Sequence, residues 1–208
     1  MIASLIKFSL GIPLGVIEPA GEFQSQEAAA HMGRTLESAG VAACYVTDHP
    51  APVATWLHAH GHDATDPFTS LAFVAAATRS LRLHTNVVVL PYRNPFITAK
   101  AAAILQVFSG GRLILGVGAG YQQGEFAALG VDFTKRDVLT DEALETIRLA
   151  WSGGPVVNRA ATSTPQATSL APFRSRPLLY GSVEGATGRF NVPPSGAMAG
   201  HRSSLRRR

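Results

Sequence analysis

Four times between residues 7 and 151 this 208-residue chain repeats one pattern: a short apolar run, a loop, then an amphipathic segment closed by glycine. Strand–helix alternation of this kind, with strand starts roughly 30 to 40 residues apart, admits only parallel neighbours joined by right-handed crossovers. The first run is Lys7 to Leu14, after which Ser25, Gln26 and Glu27 offer an N-cap and a first-turn carboxylate. Met32, Leu36 and Ala39 mark one helix face and Gly40 ends it. The second unit pairs a strand at Val41 to Thr47 with a helix opened by Asp66-Pro67 and carrying Phe68, Leu71, Ala72, Ala75 and Ala76. The third pairs the β-branched run Thr85 to Leu90 with a helix opened by Asn94-Pro95 and ended by Gly110-Gly111. In the fourth, Leu113 to Val117 enters a glycine-rich turn, and a helix beginning near Thr140 carries Leu144, Ile147 and Trp151 inward. The runs are almost continuously apolar, as strands buried on both faces must be. Two architectures satisfy the pattern: a doubly wound sheet, with its ligand at a strand-order switch, and an eight-fold barrel, with its site at the carboxyl ends of all strands. A whole barrel takes about 250 residues, so four units make half of one.

The charge is divided unevenly. Residues 1–157 hold 10 Lys/Arg against 13 Asp/Glu, whereas 158–208 hold 8 Arg against Glu184 alone, so the net charge of +4 comes from the end of the chain. Fifteen arginines to three lysines, with abundant Ala, Gly and Pro, reflect GC-rich coding, and no nucleic-acid partner is expected. The chain is read as a barrel half at 1–157 followed by an Arg/Ser/Pro-rich tail at 158–208, expected to be disordered because it has too little apolar surface to offset chain entropy. Within that tail only Pro177 to Tyr180 reads as a strand. Cys44 is alone, which fits a reducing cytoplasm, and no run approaches the ~18 apolar residues of a membrane span. The apolar segment from Ile2 to Ile17 lacks the basic start and the cleavage site of a signal peptide and is read as leading into the first strand.

Chemistry-bearing residues gather at strand ends. Thr47-Asp48-His49-Pro50 sets a carboxylate beside an imidazole; taken alone, a capped strand end with a surface histidine explains it, and the functional reading is a His49 that donates to a ring carbonyl or shuttles a proton. Leu90-Pro91-Tyr92-Arg93-Asn94-Pro95 must turn at Pro91, either as a simple connection or as a kinked strand end against a planar cofactor. Gly116-Val117-Gly118-Ala119-Gly120-Tyr121 lets backbone approach a ring or phosphate, but the third glycine of a dinucleotide fingerprint is missing. Glu125 is read as a first-turn helix carboxylate in preference to a base. His58, His60 and His62 are read as a solvated loop in preference to a metal site, since Gly61 interrupts them and no carboxylate accompanies them.

Taken together, DHP at 48–50, the DPF near 66, TNVVVLPYRNPFITAKAAAILQVFSGGRLILGVGAGYQQGEF at 85–126 and DEALETIRLAW at 141–151 resemble the luciferase-like superfamily, most closely its coenzyme F420-dependent oxidoreductases. The likeness covers about residues 5–157. It implies a (β/α)8 barrel of which the first four βα units are present, with F420, or alternatively FMN, lying across the strand ends, and hydride transfer at an isoalloxazine-type ring. By the same likeness Asp48 and His49 face the ring edge, Leu90 and Pro91 form a strand-three kink under its flat face, and Gly118 and Gly120 permit close approach. His49 and Tyr121 are the implied catalytic residues, Tyr121 standing where some relatives carry an acid. Deazaflavin relatives transfer hydride only, whereas FMN relatives can oxygenate their substrate; GC-rich coding favours F420. Family members continue with four further units where this chain has its arginine-rich tail, although Pro177 to Ser182 echoes a later strand. The expectation is a chain truncated, read out of frame or rearranged after about residue 157.

The resulting reading is an oxidoreductase or monooxygenase acting on a small organic substrate, with no metal, no nucleic acid and no membrane, self-associating through exposed barrel edges. The alternative is a catalytically inactive half-barrel that persists only by such self-association.

Overall fold

The computed structural model describes residues 7–15, 22–59 and 61–152, together with the backbone of three two-residue strands at 156–157, 167–168 and 179–180. Strands β1 (Ser9–Gly11), β2 (Ala43–Val46), β3 (Arg82–Val89) and β4 (Leu113–Gly118) lie side by side in chain order, every pairing parallel. Consecutive order without a reversal separates the two architectures left open by the sequence: it is the winding of a barrel, here the first four βα units of one, and not of a doubly wound sheet.

The intervening helices form where caps and spacing require them. In α1 (Gln26–Ser38) the Ser25 hydroxyl accepts the Ala28 N–H at 3.0 Å. In α3 (Pro67–Ala77) Asp66 accepts the Thr69 N–H at 2.8 Å, and in α4 (Pro95–Phe108) Asn94 accepts the Phe96 N–H at 3.0 Å. A short α2 (Ala54–His58) precedes α3, while α5 (Gln123–Ala128) and α6 (Arg136–Trp151) follow β4. Leu36, Leu71, Val74, Ala102, Leu105 and Ile147 on these helices cover Cys44, Val46, Leu83, Leu115 and Val117 on the sheet. Each fully buried Leu or Val contributes about 1.5 to 3 kcal/mol relative to exposure, so this layer is the main source of stability. Arg112 ties it at the base of the sheet: its guanidinium donates to the Leu81, Ala75 and Thr78 carbonyls and the Thr78 hydroxyl, and its Nε–H to the Ser109 carbonyl. Those acceptors include carbonyls at the ends of α3 and α4 that have no helical partner.

Several boundaries differ from the sequence reading. β3 begins at Arg82, not Thr85, because Arg82 and His84 occupy alternate positions of a parallel ladder whose other members, Leu83 and Thr85, face the helices. α6 begins one turn before Thr140, and β1 and β2 are shorter than their apolar runs. Leu179–Tyr180 pairs in parallel with Ile114–Leu115, adding a strand β7 at the β4 edge, beyond the division placed at 157. Val156–Val157 (β5) pairs antiparallel with Ala167–Thr168 (β6). Apart from the backbone of β6 and β7, the expected disorder of 158–208 concerns residues outside those described.

Candidate functional site

At the carboxyl ends of β2, β3 and β4 lies an open cleft of about 520 Å3, lined by Thr47, Asp48, His49, His62, Asn86, Val87, Val89, Gly118–Tyr121, Phe133, Arg136 and Asp137. Its floor is made by an irregularity in β3. The register against β4 shifts between Thr85 and Val88, and the Asn86–Val87 peptide is cis. The Thr85 hydroxyl takes the place of ladder partners there, donating to the Gly116 carbonyl at 2.7 Å and accepting the Gly116 N–H at 2.9 Å. Bulges re-aim side chains at the rims of barrels, and here Asn86 and Val87 are turned into the cleft. Leu90 and Pro91, expected to buttress a ring, are buried in a single 3-10 turn at the end of β3, and the lining of the cleft includes Val87 and Val89 from that strand end.

Gly118 and Gly120 are required by the same packing. A Cβ on Gly118 would meet the Val87 side chain at 2.7 Å; Gly120 has φ of 81° and a Cβ there would meet Val89 at 2.7 Å. Both glycines line the cleft with their backbone.

Asp48 is fixed from below. Its carboxylate, 1% exposed, accepts the Val89 N–H at 3.0 Å and a fork of two bonds from Arg93, Nη2 at 2.7 Å and Nε at 3.2 Å. Arg93 also reaches Asp66, the cap of α3, at 3.1 Å. Burial by itself lowers the Arg93 pKa, but the bonds and charges of Asp48 and Asp66 outweigh it and raise it. Asp66 is held below the usual carboxylate range: burial opposes this, and the Thr69 hydrogen bonds and the Arg93 charge prevail. The carboxylate beside His49 is therefore an anchor joining β2, the end of β3 and α3.

The polar partner of His49 is Glu125. Nδ1 of His49 stands 3.1 Å from Oε2 of Glu125, which is fully buried and also accepts the Tyr92 hydroxyl at 3.1 Å and the Ala51 N–H at 3.3 Å. A carboxylate surrounded by donors accepts, so Nδ1 carries hydrogen and Nε2 is the remaining polar atom of a side chain that lines the cleft. The amide nitrogen Nε2 of Gln122 also lies 3.1 Å from Nδ1, and turning that amide over would present its oxygen, an acceptor, to the same nitrogen. Burial, then the charge and hydrogen bond of Glu125, push the Tyr92 phenol well above its ordinary value, keeping it a donor. Tyr121 is raised by burial and by Glu125, although its ring is largely exposed at the cleft mouth, 6.0 Å from His49. Glu125 stands in the first turn of α5, as the sequence reading has it, and is completely buried there, with its carboxylate against His49.

Of the three loop histidines, His58 ends α2, His60 lies outside the described residues, and His62 is at the cleft. His49, Trp56 and His62 form a cluster, with ring centroids 4.7 Å apart for His49–Trp56, 5.0 Å for His49–His62 and 5.4 Å for Trp56–His62. Among the described residues no group of three or more His, Cys, Asp or Glu is placed to hold a metal, and no helix is long and apolar enough to cross a membrane.

Four parallel strands wound in chain order with a cleft at their carboxyl ends are the leading half of a parallel (β/α) barrel. Residues 10–190 match the family model described as luciferase-like monooxygenase, and the chain belongs to that family. It is 40% identical over 117 residues to a phthiodiolone/phenolphthiodiolone dimycocerosates ketoreductase of Mycobacterium sp. (strain JLS), a match covering 53% of this chain and 30% of that protein. Among solved structures it resembles monooxygenase RslO1 from Streptomyces bottropensis, with TM-score 0.70 and 25% identity over 84% of this chain and 52% of that one. It shares its fold with an F420-dependent secondary alcohol dehydrogenase in complex with an F420–acetone adduct, with TM-score 0.63 and 23% identity over 84% of this chain and 52% of that one. The chain thus spans about a third of the ketoreductase and about half of each solved relative.

Proposed function

We propose that this chain carries the ring-binding and proton-handling half of a flavin- or deazaflavin-dependent oxidoreductase acting on a small organic substrate, with F420 as the cofactor and FMN as its alternative. The observation that supports this best is the buried Glu125–His49 pair at the edge of a cleft that the irregular, apolar end of β3 lines. A tricyclic ring fits there. Val87, Val89 and the Gly118–Gly120 backbone offer apolar and side-chain-free surface, and Thr47, Asn86 and His49 offer polar atoms, in a volume within the ~300 to 1,000 Å3 of ordinary ligand sites. Bound there, the ring would supply or accept hydride.

The protein's own part is to hold and move the proton. Glu125 fixes the imidazole with Nδ1 protonated, leaving Nε2 to take a proton from, or give one to, a substrate oxygen. Asp48 acts through position, holding Val89 under the ring, and Tyr121 stands at the mouth where it can meet substrate. The mycobacterial ketoreductase and the alcohol dehydrogenase support carbonyl–alcohol interconversion as the reaction; RslO1 supports oxygenation as its rival. A cytoplasmic setting accords with Cys44, a lone buried thiol that burial raises to about 12. The division into a barrel half at 1–157 and a basic tail at 158–208 belongs to the same proposal.

Titration with F420 and with FMN tests the reading. Saturable perturbation of one ring spectrum at micromolar concentration is expected; the absence of any perturbation with either would overturn it. A specific observation favours a second reading, an inactive half-barrel maintained by self-association: on β1, Phe8 beside it and Leu10 within it are 67% and 44% exposed. Sedimentation showing a stable dimer that binds neither ring would select that reading.

A further inference from the structure

Beside the cleft lies a second chamber of about 270 Å3, lined by Ile12, Pro13, Tyr45, Val46, Ala64 and Thr65 among others. Thr47 and His62 line both spaces. Thr47 follows the end of β2, and His62 belongs to the loop between α2 and α3.

Its position is built by the surrounding loops. The Gly61 N–H donates to the Trp56 carbonyl at 2.9 Å, and a Cβ on Gly61 would collide with the Trp56 ring, so the loop folds tightly over that indole. A Cβ on Gly15 would collide with the Asp63 carbonyl oxygen, so the loop after β1 closes on the residue following His62. Nδ1 of His62 is 3.1 Å from that same carbonyl, which can only accept, so His62 too carries hydrogen on Nδ1. Its ring stands edge-on to His49, 5.0 Å between centroids.

Resting on the reading above, we infer that His62 is a specificity-determining wall within one substrate site: the cleft takes the ring and the reacting carbon–oxygen group, and the chamber takes an apolar arm of the substrate. Ile12, Pro13, Val46 and Ala64 suit an unbranched alkyl arm, and the volume accommodates roughly nine carbon atoms at the ~30 Å3 a water-sized group occupies. The substrate class is accordingly an alcohol or ketone bearing a straight apolar chain on the carbon next to oxygen.

Trp56 touches both histidines and reports on the boundary without any cofactor, and Trp56→Phe identifies its signal. Binding of 2-propanol and 2-octanol is measured by Trp56 fluorescence in the full chain and in His62→Trp and His62→Ala. The native chain is expected to prefer 2-octanol at least tenfold. His62→Trp, which fills the passage, should weaken 2-octanol at least tenfold and leave 2-propanol within twofold, whereas His62→Ala should tighten binding of the branched 2,6-dimethyl-4-heptanol at least fivefold. Because His62 is exposed, both variants should melt within a few degrees of the native chain. No chain-length preference in the native chain, or equal effects of His62→Trp on the short and long alcohols, would overturn the inference. The same samples are titrated with F420 and FMN. Normal ring binding without chain-length selectivity sinks the chamber alone, and selective loss in His62→Trp with no ring binding anywhere sinks the cofactor reading alone.

Discussion

Replacing Arg93 with Met keeps the aliphatic stem and removes the guanidinium, leaving the Asp48 carboxylate, 1% exposed, held by the Val89 N–H. Removing one partner of a buried ion pair costs ~3 to 5 kcal/mol because the other charge stays desolvated. Arg93 is 24% exposed, so water can reach part of the gap, and its contact to the half-exposed Asp66 adds little; the expected loss is about 2 to 3 kcal/mol. Asp48→Asn alone should cost about 1 to 2 kcal/mol, and the double variant should show a coupling of about 1.5 to 2.5 kcal/mol in a cycle. Arg93→Lys should recover less than half of the loss, since an ammonium cannot reproduce the two-bond fork. Urea unfolding followed by circular dichroism at pH 7 reads these values as midpoint shifts at constant slope. Additive effects, or a loss under about 0.5 kcal/mol for Arg93→Met, would show that the pair does not anchor the strand ends.

Other consequences follow from the same structure. Glu37 accepts the Ser80 and Leu81 N–H groups, the Ser80 hydroxyl and the Arg79 N–H, and these lower its pKa from 4.5 to about 2. Because the folded value is depressed, its stabilisation is complete above pH 4.5 and is lost as pH falls towards 2; Glu37→Gln should cost about 1 kcal/mol at pH 7, allowing for solvent screening, and close to nothing at pH 2, as read by urea titrations at both. Arg112→Met should lower stability by about 2 to 4 kcal/mol, because it strips donors from carbonyls beneath the sheet, and the melting temperature will show it. On the proposed function, Glu125→Gln should reduce turnover about 10²- to 10⁴-fold while ring affinity changes less than threefold, since it disturbs the proton-bearing imidazole and not the cleft floor.

Much of the scaffold was legible because its signals are local. Ser25, Asp66 and Asn94 cap the helices they precede, and the apolar runs lie within or across the observed strands. What escaped was carried by contacts between distant residues. His49 and Glu125 are 76 positions apart, and a glutamate two residues into a short helix carries the ordinary signature of a dipole-compensating charge. Only the bend after Gly120 brings it beneath the imidazole. The register shift in β3 was equally hidden, since Asn86-Val87-Val88 reads as plain strand, whereas the turn that Pro91 announces is where the chain does leave the strand. His62 looked like one of three loop histidines because the packing of Gly61 on Trp56 cannot be seen in the sequence.

A crystal structure of the chain saturated with whichever of F420 or FMN it binds tests the central claim most directly. The tricycle should lie with one face on Val87 and Val89 and with His49 at its edge. A ring bound elsewhere on the molecule, or this cleft empty at saturating cofactor, would contradict the account.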